Sequence, residues 1–272
     1  MIHLEEVSYR YRSAHHALGS VTLEFEPGRI TAVIGPNGSG KSTLAKLVAG
    51  LLLPTSGKVL VDGLDTRLTD PLAVRSRVSL AWQNPDNQMV CGMVEDDLVF
   101  GPENLGLPAA EVERRVDEVT ERLGLGALRH RAVHSLSAAR KQIVAVAGAM
   151  AMMPRYLILD EVTARLDRTS ADALLDAIGG WAIERDIGVV MITHVMSEVL
   201  RADRVAQLDT GSNGGYIAQV GPPREVLKTV TASRDVSLEV PLHDTLVRLG
   251  ALGVHIDGSP ETVVRLAELL CR

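Results

Sequence analysis

Apolar residues fall into two kinds of run along this chain. Ile2 to Tyr11 and Val21 to Phe25 alternate apolar with polar positions, the period of strands with one buried face. Ile30 to Ile34, Tyr156 to Leu159 and Val189 to Thr193 are apolar throughout, which predicts a sheet covered on both faces. Val205 to Leu208 is the last strand-like run, and Leu44 to Leu53 reads as a helix. From Gln83 to Pro154 the period changes. Ala109 to Leu123 spaces Val112, Val116, Val119 and Leu123 by three and four residues with charges between, so a helical region is predicted as an insert between strands. Thr210 to Gly215 reads as a turn, and Gly221-Pro222-Pro223 then marks a boundary. Leu242 to Leu249 and Glu261 to Leu270 are helix-like pieces of the tail, and no internal repeat is present.

The bulk composition narrows the class. A chain of 272 residues that is 46% hydrophobic and 23% charged has the make-up of an ordinary globular protein with a sizeable core. The formal net charge of −6 argues against nucleic acid as the main partner. Cys91 and Cys271 have no metal-ligand spacing, and the start Met1-Ile2-His3-Leu4-Glu5-Glu6 lacks the regions of a signal peptide, so a reducing cytosol is expected. Ile143 to Met153, the most apolar segment, is too short to cross a bilayer and predicts a buried helix. Any membrane association is therefore expected to run through a protein partner.

The most informative stretch is Gly35-Pro36-Asn37-Gly38-Ser39-Gly40-Lys41-Ser42-Thr43, between the run ending at Ile34 and the helix-like Leu44 to Leu53. Glycines let successive backbone N–H groups turn inward on a phosphate, Lys41 can reach the β and γ oxygens, and Ser42 offers a hydroxyl to Mg²⁺. Tyr156-Leu157-Ile158-Leu159-Asp160-Glu161 sets two carboxylates at the carboxyl end of a buried strand, where open α/β sheets place ligands. Asp160 is expected to hold Mg²⁺ and Glu161 to orient the attacking water and accept its proton. His194 directly follows Val189 to Thr193 and is expected to face the same phosphates. Gln83, after Val78 to Trp82, is a candidate hinge that feels Mg²⁺ or the water.

Together these elements resemble the ATPase subunit of ABC transporters over nearly the whole chain. The resemblance implies an α/β P-loop nucleotide-binding domain over 1–222, with a helical subdomain inserted at about 84–154. A C-terminal helical extension over 223–272 would serve dimerisation. In that family's terms Gly35 to Thr43 looks like Walker A, covering Asn37, Gly38, Ser39, Gly40, Lys41, Ser42 and Thr43. Gln83 looks like the Q-loop, Asp160 like Walker B, Glu161 like the catalytic base, Ala164 to Asp167 like the D-loop and His194 like the switch histidine. Tyr11 matches the aromatic that stacks on adenine, with Tyr9 as its rival. The implied ligands are ATP and Mg²⁺, the latter on Ser42, Gln83 and Asp160.

Ala81-Trp82-Gln83-Asn84-Pro85-Asp86-Asn87-Gln88 and Val94 to Gly101 narrow the resemblance to the energy-coupling-factor group. Val240-Pro241-Leu242 and Leu246 to Gly250 are similar to that group's C-terminal extension. The resemblance implies a peripheral subunit on the cytoplasmic face of the membrane, joined to a transmembrane scaffold and a separate substrate-binding membrane subunit. A groove around Asn84 to Asp97 would receive the scaffold's coupling helices. Asp86, Glu95 and Asp96 are candidates to pair with its arginines, or form a solvated acidic face.

One motif departs from the family. Its Leu-Ser-Gly-Gly-Gln signature stands here as Leu136-Ser137-Ala138-Ala139-Arg140, and the D-loop carries Ala164 and Arg165. In the family this segment presents a serine hydroxyl, here Ser137, and backbone N–H groups to the γ-phosphate on the partner's Walker A. These two departures beside intact Walker residues favour a heterodimer with a second ATPase subunit over a homodimer. The leading expectation is an ATP-hydrolysing subunit that drives uptake of a vitamin or transition-metal ion. A nucleotide-binding regulatory partner with little hydrolysis, and an ABC ATPase outside transport, are the alternatives.

Overall fold

A computed structural model describes residues 1–12 and 16–233. The predicted tail helices Leu242 to Leu249 and Glu261 to Leu270, most of the 223–272 extension and Cys271 lie outside the described residues.

The alternating segments form β1 (Ile2–Arg10) and β2 (His16–Phe25), an antiparallel pair, and β2 begins five residues before the predicted Val21. The apolar runs become β3 (Ile30–Ile34), β6 (Val78–Ala81), β7 (Tyr156–Asp160) and β8 (Gly188–Ile192), while β9 (Arg204–Gly211) extends the predicted Val205 to Leu208. β4 (Ser56–Val61), β5 (Leu64–Asp65) and β10 (Gly214–Gly221) complete one ten-stranded sheet in the order β5-β4-β1-β2-β10-β9-β3-β8-β7-β6. The Thr210 to Gly215 turn is tighter than predicted: β9 and β10 pair across it as far as Gly211 and Gly214.

The helix after the glycine-rich loop, α1 (Lys41–Val48), is shorter than the apolar pattern to Leu53 predicts. Gly50 adopts φ 64°, its N–H bonds Leu47 O, and the Leu51 N–H bonds back to Lys46 O. That pair of bonds closes a helix end that needs the left-handed conformation glycine tolerates. Pro71–Arg75 forms the one-turn α2, capped by the Asp70 side chain. Every regular element between β6 and β7 is helical: α3 (Val94–Asn104), α4 (Ala109–Arg122), α5 (Ala138–Ala151) and three short 3₁₀ turns. α6 (Arg168–Arg185), α7 (Met196–Val199) and α8 (Pro223–Ser233) follow.

Two cores sandwich the parallel strands. Leu157, Leu159, Val189, Met191, Ala32 and Ile34 join the core built with α3 to α6. The residues between them, Ile158, Val190, Ile192 and Val33, join the core that holds Leu44, Leu47 and Val48 of α1 and the antiparallel strands. Side chains alternate across a strand, so an unbroken apolar run supplies both layers at once.

Candidate active site

Register brings the site residues together. β3, β8, β7 and β6 run parallel with Ala32 opposite Met191, Met191 opposite Leu159 and Leu159 opposite Ala81. Gly35, Asp160, Thr193 and Gln83 each come one to three residues past that row, so residues up to about 160 apart in sequence share one rim.

The loop from Gly35 to Gly40 is shaped for an anion. Gly38 and Gly40 have φ 86° and 91°, and nothing lies within 4 Å of where a Cβ on Gly38 would sit, leaving that side of the turn open. Lys41, buried at the start of α1, donates to the carbonyls of Gly35 at 2.8 Å and Pro36 at 3.0 Å. Burial pushes its pKa down, opposed by the charges of Glu161 and Asp160. Ser39 Oγ is fully buried without a hydrogen-bond partner. An orphaned hydroxyl, a buried ammonium and open backbone turns at a helix start fit a phosphate chain.

Ser42 Oγ donates to Asp160 Oδ1 at 3.2 Å. Burial raises the Asp160 pKa; the Ser42 bond offsets it in part and the Glu161 charge adds to it. Among the described residues no group of three or more His, Cys, Asp or Glu side chains could hold a metal ion alone. A hydroxyl and one carboxylate instead fit Mg²⁺, which takes few protein ligands and completes its shell with water and phosphate oxygens.

Glu161, at φ 49°, donates its N–H to Ile192 O at 3.0 Å. Its Oε2 accepts from Gln83 Nε2 at 2.5 Å, and His194 Nδ1 lies 3.9 Å from its Oε1. Gln83, Glu161 and His194 therefore meet. The Tyr11 hydroxyl lies 3.2 Å from Thr43 Oγ1 in the first turn of α1, and the Tyr9 and Tyr11 rings stack edge to face at 4.9 Å. Asn37 and Gly38 are exposed at the loop's tip.

Ser137 is used differently from the other candidates. It caps α5, its Oγ accepting from the Arg140 N–H at 3.3 Å, and Ser137, Ala138 and Arg140 are exposed. Two acidic candidates for the scaffold are already paired within the chain. Asp86 accepts from Lys141 at 2.7 Å, and Glu95 from Arg129 at 2.8 Å and His130 at 2.9 Å. The Lys141 bond first, with the Lys141 and Arg165 charges, holds the Asp86 pKa down. Asp96 is exposed.

The motif pattern gave no sign of two supports. Gln88 accepts from the Trp82 N–H and donates to Ala145 O, and Gln142 donates to Trp82 O, so the segment carrying Gln83 is tied to α5. Gly215 of β10 lies under the loop: a Cβ there would sit 1.9 Å from Ser39 O. Beside the Gln83 segment a groove of about 360 Å³ is lined by Leu51, Leu80, Trp82, Val90, Phe100 and Met152 among others.

Residues 18–164 match the ABC transporter family. The energy-coupling factor transporter ATP-binding protein EcfA1 of Symbiobacterium thermophilum is 45% identical over 94% of this chain and 88% of its own length. EcfA of Methanosarcina acetivorans, described in the same words, is 40% identical over 100% of this chain and 98% of its own. The structure of cbiO1 from Clostridium perfringens, described as part of the ABC transporter complex cbiONQ, superposes with a TM-score of 0.74. It shares 32% identity and covers 91% of this chain and 98% of that one. The chain is an ABC-type ATPase, an ATP-binding and ATP-hydrolysing member of the ABC transporter family. Within that family it belongs to the energy-coupling factor transporter ATP-binding proteins.

Proposed function

We propose that this chain hydrolyses ATP on the rim formed by Gly35 to Thr43, Gln83, Asp160, Glu161 and His194, and that the cycle drives an importer of the energy-coupling-factor type. The observation that carries the reading is the meeting of Gln83, Glu161 and His194 beside the buried Lys41 and the Ser42–Asp160 pair. Backbone N–H groups from Asn37 to Thr43 cradle the phosphates, and Lys41 leaves its loop carbonyls to bond them. Tyr11 stacks on the adenine. Ser42 and Asp160, with Gln83, would hold Mg²⁺, which when bound neutralises charge on the phosphate oxygens. Glu161 orients the attacking water and takes its proton, and His194 donates a hydrogen bond to the γ-phosphate.

Among the described residues no helix is long and apolar enough to cross a membrane. The chain acts as a peripheral subunit on the cytoplasmic face, its groove beside Trp82 docking a transmembrane scaffold whose neighbour selects a vitamin or metal ion. Apolar Leu51, Val90 and Phe100, partly exposed there, suit such a partner. Ala138, Ala139 and Arg140 in the signature, with Ala164 and Arg165 beside it, favour pairing with a different ATPase subunit whose own signature serves this chain's Walker A.

ATP turnover of the purified membrane complex tests the reading. Lys41→Ala is expected to abolish it, and unchanged turnover would show that another subunit's loop does the work. Fast hydrolysis by the isolated chain, lost in Glu161→Gln, would count against the heterodimer.

A further inference from the structure

His194 sits in a turn whose flanking hydroxyl is bonded to a buried acid four residues beyond the histidine. Thr193, directly after β8, is 2% exposed and Glu198, in α7, is 5% exposed. Thr193 Oγ1 donates to Glu198 Oε2 at 2.5 Å and accepts from the Val195 N–H at 3.0 Å. The second bond spans His194, tying the residue before it to the residue after it. The Thr193 N–H also donates to Val33 O of β3 at 3.3 Å, so the turn is fastened to the strand that leads into the phosphate loop. The Glu198 N–H bonds Val195 O at 3.1 Å, closing the first turn of α7.

Burying a carboxylate disfavours the fold unless its oxygens are hydrogen-bonded. An apolar residue would fill the same space without that cost. The site of the acid is therefore informative: its bond ends on the hydroxyl that shapes the His194 turn, and His194 Nδ1 stands 3.9 Å from Glu161 Oε1.

We propose that Thr193 and Glu198 are positioning residues for His194. The carboxylate fixes the direction of the Thr193 hydroxyl, the hydroxyl fixes the turn, and the turn aims the imidazole at the γ-phosphate and at Glu161. This inference rests on the proposed role of His194, and it adds two residues that touch neither nucleotide nor water. Glutamate at 198 is used as an acceptor, so a glutamine there keeps the function through its amide oxygen.

The test is steady-state ATP turnover of the full-length chain in its purified membrane complex, with nucleotide affinity and melting temperature measured on the same samples. Thr193→Val, close in shape but without the hydroxyl, is expected to lower kcat about ten- to hundredfold, as small misplacements of a reacting group do. Its KM for ATP stays near wild type, while the melting temperature falls because the buried Glu198 loses a hydrogen-bond partner. Thr193→Ser and Glu198→Gln restore most of the activity, and Glu198→Leu matches Thr193→Val. Should either Thr193→Val or Glu198→Leu fail to fold, the other carries the test. In a His194→Ala background Thr193→Val is expected to add nothing, the mark of residues acting as one unit. Wild-type kcat in Thr193→Val, no rescue by serine, or losses that multiply with His194→Ala would overturn the inference. Wild-type turnover in His194→Ala itself would instead overturn the role of His194, and that outcome is read from the single variant.

Discussion

Gln83 Nε2 donates to Glu161 Oε2 at 2.5 Å, so the carboxylate proposed as the base is bonded to a side chain just past the neighbouring strand rather than turned wholly toward solvent. Glu161→Gln keeps the shape of this pair and removes the proton acceptor. It is expected to lower kcat by about 10²- to 10⁴-fold, the usual worth of a general base, with ATP binding retained. Phosphate release and a nucleotide titration on one preparation check both halves; a loss in binding equal to the loss in rate would argue against the role.

Restoring the family signature should have the opposite sign. Ala138→Gly, Ala139→Gly and Arg140→Gln together remove two methyl groups from an exposed helix start and return the amide. A regained charge-assisted hydrogen bond is worth about 1.5 to 3 kcal/mol, so hydrolysis at the composite site using this signature is expected to rise roughly ten- to hundredfold. Mutation of the other site's catalytic carboxylate silences it while the rise is measured. No change would mean that Ser137 and the existing backbone already suffice.

Gly215 predicts a loss from outside the motif. A methyl group there would meet Ser39 O at 1.9 Å, and both groups are backbone-anchored. Gly215→Ala is expected to displace the phosphate loop, costing about 1 to 3 kcal/mol of stability as overpacking does and weakening ATP binding alongside. Thermal melts with and without ATP show it as a lower starting point and a smaller nucleotide-induced rise.

The Tyr156 hydroxyl gives a prediction in alkali. It is buried and donates to Asp62 Oδ1 at 2.9 Å; burial first, then that bond and the Asp62 charge, push its pKa up to about 12. The folded chain thus holds this proton where the unfolded chain, near pH 10, has lost it. The contribution to stability is full below pH 10 and fades as pH rises from 10 to about 12, at up to about 1.4 kcal/mol per pH unit. Tyr156→Phe is expected to be less stable at neutral pH and to fall less steeply over that window, read from urea unfolding across the range.

Sequence reading names the parts of the candidate site that are continuous or that end an apolar run. The nine residues from Gly35 to Thr43 announce themselves, and Asp160, Glu161 and His194 follow runs buried on both faces. What it missed depends on partners distant in the chain or on backbone conformation. Gly215 looks like one more residue of a glycine-rich turn until β10 is seen beneath Ser39. α6 buries Leu174, Leu175, Ile178 and Trp181, a good helical stripe, but Gly179-Gly180 interrupts it with poor helix formers. The pattern runs past the end of α1 because Leu51, Leu52 and Leu53 stay apolar beyond the glycine that stops the helix. The acidic residues of the Asn84 to Asp97 segment gave no sequence sign that Lys141 and Arg129, more than thirty positions away, would take up Asp86 and Glu95.

β7 is gripped on one side by Leu157 and Leu159 and on the other by Ile158, with Asp160 as its last residue and Glu161 directly after it. One stiff bar thus serves as floor for the helical lobe and as mount for the acids. The strand that floors the helical lobe is therefore the same one that carries both carboxylates.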